Sequence, residues 1–544
     1  MLSNLPVSSS RVRRLLRCEK PIDSPSKRKH NEAAAEGPAQ GGGITPMSDV
    51  RTTTTTVDTA ADTRVENLGY RQELRREFGF FHAFAISFAD TSLIVAFYGV
   101  FGLALAAAGP TFFWGLLVVL AGQFLVSLVL GEVSSTWPLE GGIYQWTRQQ
   151  TGATPGWFAA WTFWWTMVFT MTSCAYAASS FLLSALNVNA SAVQTIGLAV
   201  VIALFGLAVN SIAQVILKVF VSLLLVAELC ATIVLAVALI LFGRVHDLSI
   251  LTQSFSPTGG INWLLLGWLG GIAIMGWTFL GFDAAGSIAE EVHDPARNVP
   301  RAIVGVCAGI GVITVFVTLA SILAIPDIKA AMTGSITDPV TQTVTNHFGN
   351  GIRSLVLFMI AMGFTGSMVA LHTAGSRTLY AAARDRMVPG SSFFTPLTAG
   401  RKLPAVALAV TTAVSIVILL INIRASQVFQ TLLTISVAGF FLSYGFVVIS
   451  QFLLQRRGTH VAGPFSLGNA SRIVTLLAAA WIVLELINVW WPRNSALPWY
   501  QNWGVLLVTV GLAIVGVIAF RLAPRHNGQL GEAPRAELAA QSRS

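Results

Sequence analysis

The feature that most constrains this chain is a long stretch with very few charged residues. Between residues 78 and 520, Lys, Arg, Asp and Glu together account for 30 of 443 residues, about 7%, whereas an average globular protein is about one quarter charged. A water-soluble domain of this size could not cover its surface with so few charges. The sequence therefore predicts a polytopic membrane protein, and it excludes a soluble enzyme, a nucleic-acid binder and a disordered scaffold as descriptions of this region.

Apolar segments of membrane-spanning length follow one another along this region. We number them one to twelve and keep these numbers throughout: 80–107, 111–137, 156–186, 191–209, 212–243, 262–289, 300–325, 352–381, 404–422, 427–453, 471–491 and 503–522. They predict an all-α integral membrane domain over residues 77–523 with about twelve transmembrane helices. The polar stretches 1–76 and 524–544 are predicted to be tails, the first of them disordered, and Met47 is an alternative start.

The distribution of basic residues predicts the orientation in the membrane. Twelve segments place both termini on one side, and twelve basic residues fall at the segment ends and loops of that side against five on the other. Basic loops stay in the cytoplasm, so both termini are expected to be cytoplasmic in a multi-pass protein of the plasma membrane. The formal net charge of +9 is explained by these loops and tails, and no nucleic-acid partner is expected.

The sequence offers no pattern for catalysis or for a cofactor. The four cysteines lack paired or metal-like spacing, and phosphate-loop, zinc-ligand and nucleophile-elbow patterns are absent. The longest predicted external loop, about 326–351, is too short for a catalytic domain. We expect no enzyme activity, no cofactor and no metal.

Segments one and six each combine an acid with a polar or glycine-rich interruption of the apolar run. A charged side chain in the bilayer core costs several kcal/mol, so its presence calls for a function. The candidate residues for a substrate site lie around these acids: Ser87, Phe88, Ala89, Asp90, Thr91 and Ser92 in segment one, and Trp277, Thr278, Phe279, Gly281, Phe282 and Asp283 in segment six. Interrupted segments at corresponding positions of two halves indicate the central site of a transporter.

An unwound stretch at membrane depth exposes backbone N–H and C=O groups, which are tolerated only where they line a cavity. Half-helix N-termini attract a carboxylate, and freed carbonyls accept hydrogen bonds from an ammonium group or coordinate a cation. A zwitterionic amino acid suits such a site. The alternative is that the Gly- and Ser-rich stretches only allow close helix packing.

Three stretches resemble motifs of the amino acid–polyamine–organocation permeases. Residues 132–144 look like the E-x-x-x-x-x-P-x-x-G-G-x-Y motif after the second span, residues 281–303 are similar to the loop between spans six and seven, and residues 376–389 resemble the end of span eight. The resemblance covers about residues 68–523. It implies a LeuT-like fold of two inverted five-helix repeats plus two helices, with helices one and six discontinuous.

These motifs supply candidates for a cytoplasmic gate, which opposite charges could close as ion pairs. The alternative is membrane anchoring by basic residues and solvated loop charge. The gate and motif candidates are Glu132, Pro138, Gly141, Gly142, Tyr144, Glu290, Glu291, Arg297, Arg301, Arg377, Arg384 and Asp385.

Lys218 in segment five matches a family pattern in which a lysine is implied to occupy the place of a sodium ion and to couple transport to protons. A buried lysine can lose its proton, but Lys218 could equally extend to the membrane surface. The coupling ion is therefore expected to be a proton, or Na⁺. Glu228 and Glu485 are further candidates for coupling, with packing or hydrogen bonding between helices as their default role.

The sequence departs from the family at the break of span one. Many members have a Gly-Ser/Thr-Gly there whose N–H groups hold the substrate carboxylate, whereas this chain has Ser87–Ser92 with Asp90. An acid favours an amine, as in the branch that handles choline and 4-aminobutyrate, and Trp277, Phe279 and Phe282 could stack on an ammonium group. We expect a secondary transporter of an amino acid or related amine; an exchanger, a channel and a nutrient sensor remain alternatives.

Overall fold

The computed structural model describes residues 61–212, 214–255, 263–333, 335–336, 338–399, 402–423, 428–493 and 498–523. These residues form helices and short turns, and their only strand-like pairing is an isolated bridge between Phe78 and Val292. The prediction of an all-helical membrane fold is confirmed.

Ten helices in the described part of the chain are long and apolar enough to cross a membrane. They are Phe80–Tyr98, Phe101–Thr136, Ala153–Ala185, Ala192–Ile212, Val215–Phe242, Pro295–Ala324, Pro339–Arg384, Val428–Arg457, Gly468–Trp490 and Gly504–Leu522. Large apolar side chains such as Leu223 and Leu484 are exposed on their outer faces, which suits contact with lipid.

Two shorter apolar helices lie where segments six and nine were predicted, over Trp263–Phe279 and Ala405–Ile421. The second has 17 residues, about 26 Å at a rise of about 1.5 Å per residue, slightly less than a hydrocarbon core of about 30 Å. The first is short because its helix ends inside the segment, as described below.

Small residues allow the helices of the bundle to pack closely. A Cβ atom placed on Gly439 of segment ten would lie 2.1 Å from the Thr166 hydroxyl oxygen of segment three, and one on Gly375 of segment eight would lie 2.9 Å from Met167 Cβ. Segments three, eight and ten therefore pack at distances that larger side chains would prevent.

The loop predicted over 326–351 is largely helical. A short helix covers Ile328–Met332, and the helix Pro339–Arg384 begins well before predicted segment eight. Its start is set by local chemistry: Asp338 accepts a hydrogen bond from the Thr341 amide at 3.0 Å, and proline at the first helical position needs no donor. Gly349, with φ of 80°, marks a kink inside it.

The tails predicted over 1–76 and 524–544 lie outside the described residues, except for residues 61–76. This part contains a helix over 61–67 and buries Val65, Leu68 and Tyr70. It also bonds to the loop after segment six, because the Gln72 side-chain amide donates to the Glu290 carbonyl at 2.8 Å. Packed structure thus begins before the predicted boundary at residue 77.

Candidate substrate site and charged cluster

Segment one is interrupted in the middle of its apolar run. The helix Phe80–Thr91 ends at Ser92, whose φ of 43° lies in the left-handed region, and a new helix covers Leu93–Tyr98. Positive φ is uncommon for residues other than glycine. Here the Ser92 side chain accepts a hydrogen bond from the Val95 amide at 3.2 Å and so caps the second helix.

Segment six is interrupted over a longer stretch. The helix Leu269–Met275 tightens into a 3₁₀ turn over Gly276–Phe279, Leu280 is extended, and a four-residue helix follows at Ala284–Ser287. Gly281 between them has φ of 96°, a conformation that favours glycine.

The two interruptions touch each other, and we call residues 90–92 and 280–283 together the double break. A Cβ atom on Gly281 would lie 2.7 Å from Asp90 Oδ2 and 3.1 Å from the Thr91 amide nitrogen. The Ala285 amide donates to Ser87 Oγ at 2.8 Å. Glycine at 281 is therefore required both by its φ and by the close approach of segment one.

Two buried carboxylates of the double break have oxygens that no described side chain or amide satisfies. Asp90 is 4% exposed, and neither of its carboxylate oxygens has a hydrogen-bond partner among the described residues. Asp283 is 1% exposed; its Oδ1 accepts from the Tyr444 hydroxyl at 2.6 Å, while Oδ2 has no partner in the described part. Buried polar groups are normally paired, so these oxygens are available to a ligand that donates hydrogen bonds.

Segment ten completes the site with a residue that sequence reasoning missed. Tyr444 donates to Asp283, accepts from the Gly281 amide at 3.0 Å, and its ring lies 5.3 Å from that of Phe282. Ser367 of segment eight likewise donates to the Asp90 carbonyl at 3.0 Å. Neither residue belongs to a recognisable motif, because single hydroxyls are common in membrane helices.

The predicted aromatic residues of segment six are all buried, and they contact different neighbours. Trp277 lies beside Gly99, where a Cβ atom would be 3.5 Å from its Nε1, and the Thr278 hydroxyl contacts Met275 Sδ at 3.9 Å. Phe279 and Phe282 are fully buried. Phe282 packs against the ring of Tyr444, which bonds to Asp283.

The double break is tightly packed in this conformation. A cavity of about 280 Å³ lies instead among apolar side chains that include Tyr98, Leu235 and Met359. Another of about 180 Å³ lies beside Trp161 and Phe394. A ligand could reach Asp90 and Asp283 only if the segments moved apart.

Segment five contacts the double break through Glu228 rather than Lys218. Glu228 accepts from the Ser92 hydroxyl at 3.0 Å, and the Leu93 and Ile94 amides also bond to its carboxylate. Lys218 instead places Nζ 3.3 Å from Glu77 Oε2, near the start of segment one.

A second group of interacting charges joins segment eight to the loop after segment six. Arg384 donates to both oxygens of Glu290, at 2.9 Å each. Arg377 donates to Glu291 at 3.1 Å, and both side chains are 1% exposed. We call this group the charged cluster; it consists of Tyr70, Glu140, Tyr144, Gln145, Arg148, Glu290, Glu291, Arg377, Arg384 and Asp385.

Asp385 is the most heavily bonded acid of the charged cluster. Its Oδ2 accepts from the hydroxyls of Tyr144 at 2.7 Å and Tyr70 at 3.0 Å and from the Gln145 amide at 3.0 Å, and it forms an ion pair with Arg148. Tyr70 comes from the stretch that the sequence assigned to a tail.

Glu140 is the acid of the charged cluster whose charge is least balanced. Its amide donates to Glu290 Oε1 at 3.0 Å, but neither oxygen of its carboxylate has a hydrogen-bond partner among the described residues. Burial raises the pKa of Glu140 well above its ordinary value, and the nearby charges of Glu291 and Glu290 raise it further.

A turn at Gly141 and Gly142, two of the motif candidates, packs on the second half of segment six. Gly141 has φ of 93° and donates its amide to the Ser287 carbonyl at 3.2 Å. A Cβ atom on Gly142 would lie 3.1 Å from the Gly286 carbonyl carbon. The turn thus holds the helix 143–151 against the segment that bears Asp283.

Three charged residues among the predicted gate candidates lie outside the charged cluster. Glu132 binds the connection to segment eleven, accepting from the Leu467 amide at 3.1 Å and from the Ser471 hydroxyl. Arg297 lies 3.6 Å from Asp294 of its own helix start, and Arg301 is exposed. Within the described residues, no group of three or more His, Cys, Asp or Glu side chains could hold a metal ion.

The sequence of the chain is similar to a family of known proteins. The family model described as amino acid permease matches residues 78–520. A protein of Arabidopsis thaliana named amino-acid permease BAT1 is 27% identical over 495 residues, which cover 85% of this chain and 93% of the relative. Amino-acid permease 2 of Neurospora crassa is 25% identical over 504 residues, covering 89% and 92%.

Proposed function

The chain belongs to the amino acid permease family, and on that premise we propose that it is a secondary active transporter of an amino acid or related amine. The observation that carries the proposal is the double break. Two interrupted helices meet at membrane depth and bury three carboxylate oxygens, on Asp90 and Asp283, that have no partner among the described residues, as expected of a central site between discontinuous helices.

The substrate would place its ammonium group against Asp90 and Asp283. Charge-assisted hydrogen bonds to carboxylates are among the strong ones, and they would offset part of the cost of burying both acids. The carboxylate of Glu228 already accepts the Leu93 and Ile94 amides, which are the donors that a substrate carboxylate would otherwise use. This favours amines, so a permease or exchanger for choline, 4-aminobutyrate or polyamines is the alternative within the class.

Transport would follow alternating access, with segments one, two, six and seven rocking against the rest. The tight packing at the double break means that a substrate enters only when these segments separate. The charged cluster would act as the cytoplasmic gate, since Arg377 and Arg384 of the helix Pro339–Arg384 hold Glu291 and Glu290 beside segment six, and opening would break these ion pairs.

The proposal also includes the topology and the location. We propose twelve spans in a LeuT-like inverted repeat, with both termini in the cytoplasm, in the plasma membrane. The described part has ten long helices and two shorter apolar helices, and their sum equals the number of proposed spans. Uptake is proposed to be driven by a proton gradient, with Na⁺ as the alternative ion. The family resemblance implies Lys218, which is paired with Glu77, as one candidate for the coupling residue.

Uptake into proteoliposomes tests the proposal. Radiolabelled amino acids, 4-aminobutyrate, choline and putrescine would be supplied one at a time, with and without an inward proton gradient. Saturable uptake of one class, enhanced by the gradient, is the expected result. If no compound moves while one of them still raises the melting temperature of the protein, the transporter assignment fails and a sensor on the same fold replaces it.

A further inference from the structure

Glu228 is a buried acid of segment five that binds the interruption of segment one. It is 3% exposed, and the Ser92 hydroxyl lies 3.1 Å from its Oε1 and 3.0 Å from its Oε2. Ser92 is the left-handed residue at which the helix stops and starts again. The same carboxylate bonds to the Leu93 and Ile94 amides, so it holds the first turn of the second half-helix.

Segment eight leaves room for this carboxylate. A Cβ atom on Gly363 would lie 3.1 Å from Glu228 Oε1 and 3.0 Å from Ile94 Cβ. Three segments therefore converge on one acid: segment five carries it, segment one donates hydrogen bonds to it, and segment eight has a glycine where a side chain would displace it.

No cationic side chain of the described part neutralises Glu228. It forms no ion pair there, and the Lys218 of its own helix is ten residues away, about 15 Å along the axis. The titratable and charged side chains on the elements packed against segment five are His82, Asp90, Tyr98, Arg297, Arg301, Cys307, His347, Arg353, His372, Arg377, Tyr380 and Arg384. Those of these residues that form ion pairs do so with other acids; Arg377 pairs with Glu291 and Arg384 with Glu290.

The two charge states of Glu228 would hold segment one differently. An ionised carboxylate only accepts hydrogen bonds, and here the donors are one hydroxyl and two amides. A protonated carboxyl has one O–H donor and less capacity to accept, so Ser92 and the amides cannot all keep their bonds unchanged. Protonation would therefore loosen the attachment of the double break to segment five.

We propose that Glu228 is the residue that binds the transported proton. This inference rests on the proposed function and names the coupling residue of the same site. An external proton adds to the Glu228 carboxylate and converts it to the neutral acid; when the site faces the cytoplasm, the acid releases that proton and again accepts the hydrogen bonds of segment one. One proton enters and one leaves in each cycle, and the substrate moves with it.

The test compares two transport assays on full-length protein in proteoliposomes. Counterflow of a preloaded compound at equal pH needs no proton gradient, whereas accumulation under an inward proton gradient does. The probes are radiolabelled alanine, 4-aminobutyrate, choline and putrescine, each alone. The variants are Glu228→Gln and, as a matched control, Glu485→Gln, which changes another buried membrane carboxylate with an unpartnered oxygen in the described part.

We expect Glu228→Gln to retain measurable counterflow, while gradient-driven accumulation falls by about tenfold. A change of this size is typical when the binding of two ligands at different sites is coupled. We expect wild-type counterflow to depend on external pH, and this dependence should be lost in Glu228→Gln. Glu485→Gln should behave as the wild type in both assays.

Three results would overturn the inference. Gradient-driven accumulation by Glu228→Gln at the wild-type level would show that the proton binds elsewhere, with Lys218 the next candidate. An equal loss in Glu485→Gln would show a general effect of removing buried charge. If Glu228→Gln does not fold, Ser92→Ala serves as the second variant, because it keeps the acid and removes the hydroxyl that donates to it. A pH dependence of counterflow in Ser92→Ala equal to that of the wild type would exclude a role for this contact. A wild type that moves no probe would instead refute the proposed function itself.

Discussion

Asp90 and Asp283 are two acids at membrane depth whose oxygens are only partly satisfied. Tyr444 bonds to one oxygen of Asp283, and the other three oxygens of the pair have no partner among the described residues. An isolated buried carboxylate is expensive, so the arrangement is favourable only when a proton or a cationic ligand joins it. The acids are thus better suited to binding than to stabilising the fold.

The variant Asp90→Asn tests this role. It keeps the size of the side chain and removes its charge, so we expect uptake of the transported amine to fall by about tenfold to a hundredfold, as for the loss of a hydrogen bond to a charged group worth about 1.5–3 kcal/mol. Uptake kinetics in proteoliposomes measure the effect. Asp247→Asn, at an exposed surface ion pair, is the control and should leave uptake unchanged. Normal kinetics in Asp90→Asn would remove this residue from the site.

Glu140 predicts a pH dependence of stability. Its pKa in the folded protein is raised by burial and by Glu291 and Glu290, so its contribution to stability is fully present below the ordinary pKa of a glutamate and is lost as the pH rises through the raised pKa. The melting temperature of the wild type in detergent should fall as the pH increases. In Glu140→Gln, which cannot ionise, this fall should be smaller.

Glu66→Gln, which changes an exposed acid, is the control for that measurement and should reproduce the wild-type profile. A Glu140→Gln profile as steep as that of the wild type would mean that another group causes the pH dependence.

Sequence reasoning found some residues of the candidate site and missed others. Asp90 and Asp283 stand out because an acid within an apolar run is rare and needs a reason. Tyr444, Ser367 and Glu140 have no such signal, because hydroxyls occur throughout membrane helices and an acid in a loop is ordinary. Only the packing of distant segments gives them their partners.

The helix interruptions are the elements on which the proposed function depends. Segment six ends its first helix at a glycine-containing stretch, and Gly281 takes a φ of 96° while it contacts Asp90. Segment one has no glycine at its interruption and instead uses Ser92 in the left-handed region, capped by its own hydroxyl. Different residue types therefore produce the two halves of the double break.

The variant Gly281→Ala tests whether this geometry is needed. A left-handed alanine costs about 1–2 kcal/mol, and its Cβ atom would also lie 2.7 Å from Asp90 Oδ2. We expect a lower melting temperature and a severe loss of uptake. Gly309→Ala provides the comparison, because a Cβ atom placed on Gly309 would meet no described atom within 4 Å and alanine favours a helix; it should be neutral or slightly stabilising. Equal behaviour of the two variants would contradict the geometric argument.

Element boundaries were less predictable than element type. The polar residues of 326–351 predicted a loop, but the Asp338 cap and Pro339 start a helix there, since caps favour a helix even in a sequence that is not apolar. The predicted N-terminal tail likewise contains a described part, 61–76, that packs on the bundle through Tyr70.

At the scale of the whole molecule, the charge bias of the loops predicts which face is cytoplasmic. Cysteine labelling of intact cells can test this with Ser249→Cys and Ser392→Cys, two exposed positions in loops that we assign to opposite sides. A membrane-impermeant maleimide should label Ser249→Cys in intact cells and Ser392→Cys only after permeabilisation. The reverse pattern would invert the proposed topology and move the charged cluster to the outer face.

The sequence by itself determined the class of the protein. The scarcity of charge predicts a membrane protein, and a bundle of helices suits the membrane because each helix satisfies its backbone hydrogen bonds internally. The resemblance carried by the three motifs is confirmed, because the chain belongs to the amino acid permease family. The tertiary structure alone decided that Tyr444 reaches Asp283, that Glu228 rather than Lys218 contacts the interruption of segment one, and that Tyr70 joins Asp385. These contacts join residues far apart in the chain, and their geometry depends on how helices pack around small residues, which no local pattern encodes.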